Sequence, residues 1–222
     1  MRDALPIATL KRVYANLAHR YDFQHGLITF GSDQRGRNIL VDKAVSAGAN
    51  VLDCGCGTGS TGILAARKVG PTGHVTCFDL SEDMLALAKQ KAHDAAVTDR
   101  VTFQTGDILQ LPYPDGSFDV VLSTYSLCPV YDPGQGALEL YRVLARGGRL
   151  GIAHSSEATN TVVKWLSDRV EDVAWRLPWL SMGCRAVAVL PSLQQAGARL
   201  LYSKHFGVPL WPFFVFIVEK PA

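Results

Sequence analysis

No run of about eighteen consecutive apolar residues occurs in this chain, so no membrane-spanning helix is expected. Its N-terminal residues show no apolar stretch ahead of a small-residue cleavage site, so no secretory signal is expected either. Charge of one sign is also missing. The formal net charge is +2, from 22 Lys and Arg against 20 Asp and Glu. So small an excess gives no footprint for nucleic acid, and none is expected as a partner. Cysteine is scarce, scattered and odd in number at five. That excludes a secreted disulfide framework and points to a reducing, cytoplasmic setting. What remains is a chain of 222 residues, 48% hydrophobic, which fits one compact domain with a proper core.

The most informative stretch is Val51-Leu52-Asp53 followed by Cys54-Gly55-Cys56-Gly57-Thr58-Gly59. A short apolar run ends in an acid, and a glycine-rich turn leads straight into a helix expected over 60–69. Alternate glycines let the backbone turn tightly and approach a ligand outside the carboxyl end of a strand. Two cofactors compete for such a loop. Gly57, Gly59 and Gly62 fit the spacing of a dinucleotide loop, with Asp79 about twenty residues on. Asp53, however, would face a pyrophosphate with a like charge. S-adenosylmethionine (SAM) carries a sulfonium and an ammonium instead, and an acid beside the loop suits a cation. Cys54 and Cys56 form a C-x-C pair without obvious further metal ligands, so packing is expected of them and no metal.

The following segments favour SAM. His74–Asp79 reads as a second strand whose terminal carboxylate can accept two ribose hydroxyls. Leu80 follows it, Ser81 is placed to cap the next helix, and Met84 lies in that helix's first turn. A third strand, Val101–Gln104, leads to Gly106-Asp107-Ile108, where Asp107 can accept from an adenine amino group with Ile108 against the ring. Phe118–Ser123 is a fourth strand, with Ser123 at its end, and Arg149–Ala153 a fifth.

Taken in order, the Asp53–Gly59 loop, Phe78–Leu85, Gly106–Ile108, Ser117–Ser123 and Arg142–Leu150 resemble the class I SAM-dependent methyltransferases. Within them the chain is most similar to the UbiE-type quinone methyltransferases, whose entry segment resembles Tyr21-Asp22 and Leu27–Gly31. The resemblance implies an α/β, Rossmann-like sheet of seven mostly parallel strands with an antiparallel last strand and helices on both faces. It also implies SAM as cofactor, with S-adenosylhomocysteine as product. Cofactor-binding residues are then expected at Tyr21, Asp53, Gly55, Gly57, Thr58, Gly59, Asp79, Leu80, Met84, Gly106, Asp107, Ile108 and Ser123. The chain departs from the quinone pattern after the fourth strand. Tyr125-Ser126-Leu127-Cys128-Pro129 stands where that group carries a Gly-Ile-Arg-Asn-like segment, with Cys128 in place of the arginine. The departure bears on the acceptor, not on the cofactor. The Asn-Pro-Pro-Tyr signature of amino-group nucleic-acid enzymes is absent, and no acidic cluster marks a catechol-type magnesium site.

The flanks bear on the acceptor. Residues 1–48 are expected as a helical cover, with Leu10, Val13, Tyr14 and Leu17 on one face of a helix over 8–19 and a second helix over 33–47. Residues 154–197 are expected as an acceptor-side insertion. Its Trp165, Trp175, Trp179 and Met182 suggest an apolar acceptor or contact with a bilayer surface. Ala198–His205 and Phe213–Val218 read as the last two strands, joined by a short turn that permits an antiparallel return. A sulfonium is already a good leaving group, so alignment of acceptor and methyl group is the main requirement. Tyr21, His25 and His154 are candidates for a general base, Tyr21 and His154 foremost. The acceptor is expected to be small and apolar: a quinone-like ring, a phospholipid amine or a lipophilic thiol. The alternatives are an NAD(P)-binding oxidoreductase and a SAM-binding regulator without catalysis.

Overall fold

The computed structural model describes residues 5–17, 20, 22, 26, 29, 31–157, 160, 161, 163–167, 169, 184–208 and 211–222. Tyr21, His25, Trp175, Trp179 and Met182 therefore lie outside the described residues.

Seven strands form one sheet in the order β3-β2-β1-β4-β5-β7-β6. They are β1 (Asn50–Cys54), β2 (His74–Asp79), β3 (Val101–Thr105), β4 (Phe118–Thr124), β5 (Leu144–Ser155), β6 (Arg199–Val208) and β7 (Trp211–Glu219). The first five pair in parallel, while β7 runs antiparallel to both β5 and β6. The described helices are α1 (Ile7–Leu17), α2 (Ser32–Ala44), α3 (Ser60–Val69), α4 (Glu82–Asp94), α5 (Pro133–Val143) and α6 (Leu190–Gln195). The sheet is thus the seven-stranded α/β architecture expected from the sequence.

Central strands buried on both faces need apolar side chains at every position, and β1 shows why the site lies where it does. Val51 faces the core beneath α2 and α3, whereas Leu52 and Cys54 face the core beneath α5 and α6. Asp53 shares the parity of Val51 and points under α3. Cys56 and Cys77 pack in the first core, and Cys54 and Cys128 in the second.

Helix starts follow their local chemistry. Ser81 caps α4 by accepting from the Met84 amide at 3.4 Å, with Glu82 and Asp83 in the first turn. Asp132 caps α5, accepting from the Gln135 amide at 2.9 Å, and Pro133 occupies the first helical position. The strand β1 reverses direction at Gly55, whose amide bonds Phe78 O at 2.7 Å. With φ at +68°, a β-carbon there would lie 2.2 Å from Ser126 Cβ. Only glycine admits the β4–α5 connection this close to the end of β1.

Candidate active site

A cleft opens at the carboxyl ends of β1, β2, β3 and β4 and encloses about 970 Å³, counted to its open mouth. This is the place where open α/β sheets bind ligands, and its lining mixes apolar side chains with a few polar groups, as small-molecule sites do. Its two walls differ in origin. One is built from strand ends and their loops: Gly55 and Gly57, Asp79 to Ser81 with Met84, and Gly106 to Leu109. The other combines the β4–α5 connection (Thr124 to Ser126, Pro129 to Tyr131) with Leu5, Ile7, Leu10, Lys11 and Tyr14 at and before α1.

On the first wall, the carboxylate of Asp79 ties two turns together. Oδ2 accepts from the Gly57 amide at 2.8 Å and Oδ1 from the Ser81 amide at 2.9 Å. Burial pushes this carboxyl above its ordinary range, while the amides of Ser81, Gly57 and Leu80 pull it back. A carboxylate has about four acceptor sites, so Asp79 keeps acceptor capacity for a ligand hydroxyl beside these amides. Asp107 is similar: Oδ1 accepts from the Leu109 amide at 2.9 Å and its other oxygen has no protein partner among the bonds described. Two carboxylates with spare lone pairs on one wall, beside the apolar Leu80, Met84 and Ile108, fit the ribose and adenine of SAM.

Of the residues expected to hold the cofactor, Gly55, Gly57, Asp79, Leu80, Met84, Gly106, Asp107 and Ile108 meet on this wall. The other expected residues stand elsewhere. Thr58 is buried away from the cleft: its hydroxyl donates to Asp22 Oδ1 at 2.7 Å and accepts from Lys91 at 2.8 Å. Lys91 and Asp22 are themselves ion-paired, so Thr58 fastens the segment before α2 onto the glycine loop and α4. Gly59 begins α3 with φ at +80° and packs on Ala88. Ser123 is fully buried, and its hydroxyl lies 2.5 Å from that of Ser126. Ser126 in turn donates to Cys54 O at 3.1 Å. Ser123 thus shapes the wall through a neighbour that reaches the cleft.

Asp53 lies behind the loop, not on the cleft wall. It is fully buried, and neither oxygen makes a well-formed hydrogen bond. Burial pushes its pKa up to about 7, with the charge of Arg37 and the amide of Gly62 opposing that rise. Strand alternation is the reason, since Asp53 shares the face of Val51. His154 is displaced for the same reason. It follows Leu150 and Ile152 by parity and points into the second core, its ring edge-on to Phe214 and Phe216 at 5.7 and 6.0 Å. Its Nδ1 bonds Ser155 O at 2.9 Å, and Nε2 is buried without a partner. Burial holds its pKa below the ordinary imidazole range. No contact of His154 reaches the cleft.

The second wall contains residues that sequence spacing did not single out. Tyr125 stands in the left-handed region with φ at +59°, which is rare for a bulky residue and marks local strain. Its ring is buried against Phe213, and its hydroxyl donates to Asp33 O at 3.3 Å. Burial keeps that phenol protonated far above neutral pH. Tyr131 covers the mouth and is 78% exposed. Trp165, the described member of the expected tryptophan cluster, is 60% exposed. Among the described residues no group of His, Cys, Asp or Glu could hold a metal ion, and no helix is long and apolar enough to cross a membrane.

With this geometry in hand, comparison with known proteins is informative. Residues 45–196 match a family model described as a methyltransferase domain. The chain is 34% identical over 165 residues to demethylmenaquinone methyltransferase of Lactobacillus johnsonii, covering 74% of this chain and 68% of that protein. It is 35% identical over 153 residues to the ubiquinone/menaquinone biosynthesis C-methyltransferase UbiE of Hahella chejuensis, covering 68% of this chain and 61% of that one. The match thus spans about two thirds of the length of these relatives. Among solved structures, a SAM-dependent methyltransferase from Aquifex aeolicus superposes with a TM-score of 0.59. It is 21% identical and covers 83% of this chain and 89% of its own, a likeness of fold.

Proposed function

Because this chain belongs to the class I SAM-dependent methyltransferases of UbiE type, we propose that it moves a methyl group from SAM to a small apolar acceptor of quinol type. One observation carries the reading: a cleft whose lining brings two ligand-ready carboxylates, Asp79 and Asp107, together with aliphatic and aromatic side chains. Asp79 takes the ribose hydroxyls and Asp107 the adenine amino group, with Leu80, Met84 and Ile108 as the apolar bed. When bound, SAM supplies an electrophilic methyl on a positively charged sulfur. The protein's part is then alignment and exclusion of water.

The relatives' names support a quinol-type acceptor within this reading. Pro129, Val130, Tyr131, Leu10 and Tyr14 present rings and aliphatic surface to a flat apolar molecule. Tyr125 stays protonated at neutral pH and its one O–H is given to Asp33 O, so it removes no proton and serves to shape that wall. The segment around α1, before the sheet, and the one between β5 and α6 act as covers of one catalytic domain.

The test is direct. The protein is incubated with methyl-labelled SAM and a dithionite-reduced, prenylated naphthoquinone that lacks its ring methyl, and the product is identified by mass spectrometry. Label on the ring supports the reading. Label appearing only on a phospholipid amine or a lipophilic thiol replaces the acceptor but keeps the transferase. Binding of NAD(P) in place of SAM by calorimetry sinks both.

A further inference from the structure

The β4–α5 connection forms the second wall of the cleft, yet between Thr124 and Asp132 it carries no basic residue of its own. Two arginines from distant parts of the chain hold its ends. Arg37, from α2, donates through Nη1 to Thr124 Oγ1 at 3.1 Å and to Thr61 Oγ1 at 3.2 Å, and the two threonine hydroxyls lie 2.8 Å apart. The same guanidinium stands 5.3 Å from the centre of the Tyr125 ring and 3.6 Å from Asp33 Oδ2. Arg185 follows the segment between β5 and α6. Its Nη2 donates to Val130 O at 2.7 Å and Tyr131 O at 3.1 Å. Both arginines are buried, 7% exposed each.

We propose that Arg37 and Arg185 are positioning residues for the methyl acceptor: they clamp the two ends of the wall that faces the cofactor and so fix where the acceptor lies. The proposal rests on the methyltransferase reading above. Neither side chain is among the groups that touch the cleft. Each acts through what it holds, Arg37 through Thr124 and the strained Tyr125, and Arg185 through the carbonyls of Val130 and Tyr131.

The physics favours arginine at both places. A planar fork of donors can satisfy two oxygens at once, and a buried guanidinium bound to fixed acceptors loses little further freedom. The backbone strain at Tyr125 persists only while its surroundings over-determine it. The Tyr125 amide bonds Ala153 O at 2.8 Å, its hydroxyl bonds Asp33 O, and Arg37 lies against its ring. Arg185 performs the matching task at the mouth, where Tyr131 is otherwise exposed. The two clamps also come from the two covers, one from before the sheet and one from after β5.

The test uses the full chain with Arg37→Lys, Arg185→Lys and Thr124→Val. S-adenosylhomocysteine affinity is measured by calorimetry. Turnover is measured with labelled SAM and the reduced naphthoquinone. Amide hydrogen exchange is followed across residues 124–131. The expected result is a loss of at least about tenfold in acceptor kcat/KM, as misalignment gives, with S-adenosylhomocysteine affinity close to wild type. Exchange at 124–131 should rise about tenfold, with β1 unchanged. Thr124→Val should reproduce Arg37→Lys, and the two together should be no worse than either alone. An equal fall in cofactor affinity and turnover overturns the proposal, as does unchanged exchange and turnover in the lysine variants. If a lysine variant does not fold, Thr124→Val decides for Arg37, and Arg185→Gln decides for Arg185. If the wild type turns over no naphthoquinol, the acceptor reading fails by itself. Exchange at 124–131 in the presence of menadione as probe then decides whether the clamps shape a binding wall.

Discussion

The hydroxyl of Tyr125 lies over Gly36 so closely that a β-carbon on that glycine would stand 2.3 Å from it. The tyrosine belongs to the cleft wall and the glycine to α2, so the absence of one side chain in a helix makes room for another in the site. Gly36→Ala should therefore cost about 1–3 kcal/mol by overpacking, although alanine is the better helix former. Tyr125→Phe, which loses the bond to Asp33 O, should cost about 1 kcal/mol by itself. Combined, the two changes should be less harmful than their sum. Urea denaturation of the four proteins measures this cycle, and simple additivity would show that the contact carries no coupling.

Asp79→Ala should weaken SAM and S-adenosylhomocysteine by at least about tenfold, since charge-assisted bonds contribute roughly 1.5–3 kcal/mol each. The same carboxylate tethers Gly57 and Ser81, so Asp79→Asn should fall between wild type and alanine. Calorimetry on proteins with native circular dichroism gives the answer. Unchanged affinity would place the ribose elsewhere.

Asp53 predicts a pH dependence of stability. Burial pushes its pKa up to about 7 in the fold, against the ordinary 3.8. A carboxyl raised on folding favours the protonated native state, so its contribution is fullest below about pH 4 and is lost as pH rises towards 7. Relative to Asp53→Asn, the wild type should lose on the order of a few kcal/mol between pH 4 and pH 8. Urea midpoints of both proteins across that range test it. A constant difference would mean that Asp53 is ionised and satisfied throughout.

Tyr131→Ala should leave stability within about 0.5 kcal/mol, because the side chain is mostly exposed. It should raise the acceptor KM while leaving S-adenosylhomocysteine affinity as it was, because the ring lines the cleft from the β4–α5 connection and not from the strand ends that carry Asp79 and Asp107. A parallel loss of both would assign Tyr131 to the cofactor.

His154→Phe should retain methyl transfer, because the ring points into the core between Phe214 and Phe216. With its pKa depressed, the histidine favours the neutral native state. Its contribution is complete above about pH 6.5 and is lost as pH falls. The phenylalanine variant should therefore resist mild acid better than wild type, read from thermal midpoints at pH 5 and pH 7.5. Loss of turnover in a folded His154→Phe protein would put the imidazole back at the reaction centre.

These cases separate what is local from what is not. The glycine turn, the acid ending β2 and the Gly106-Asp107-Ile108 segment are legible because each is a strand, its end and a turn in consecutive residues. The bounds of α3 and β2 follow from the same local signals. Asp53 and His154 also sit at strand ends, but a strand end does not say which face a side chain takes. Parity with Val51 for Asp53, and with Leu150 and Ile152 for His154, is the signal that places them. Tyr125, Arg37 and Arg185 gave no comparable signal. Arg37 and Thr124 are 87 residues apart, and nothing in either segment alone announces the pair.

The antiparallel β7 has a consequence for how the molecule is completed. It lies between β5 and β6, so among the described residues β6 has no neighbour in the sheet except β7. Residues 199–208 leave the ribosome first but have no described strand to pair with until residues 211–219 follow them out and pair with β5. The sheet is thus closed by its own last segment, like a zip whose slider is fitted at the end. A break in the chain shortly before Trp211 would strip away two strands and not one, and with them Phe213, the ring against which Tyr125 rests.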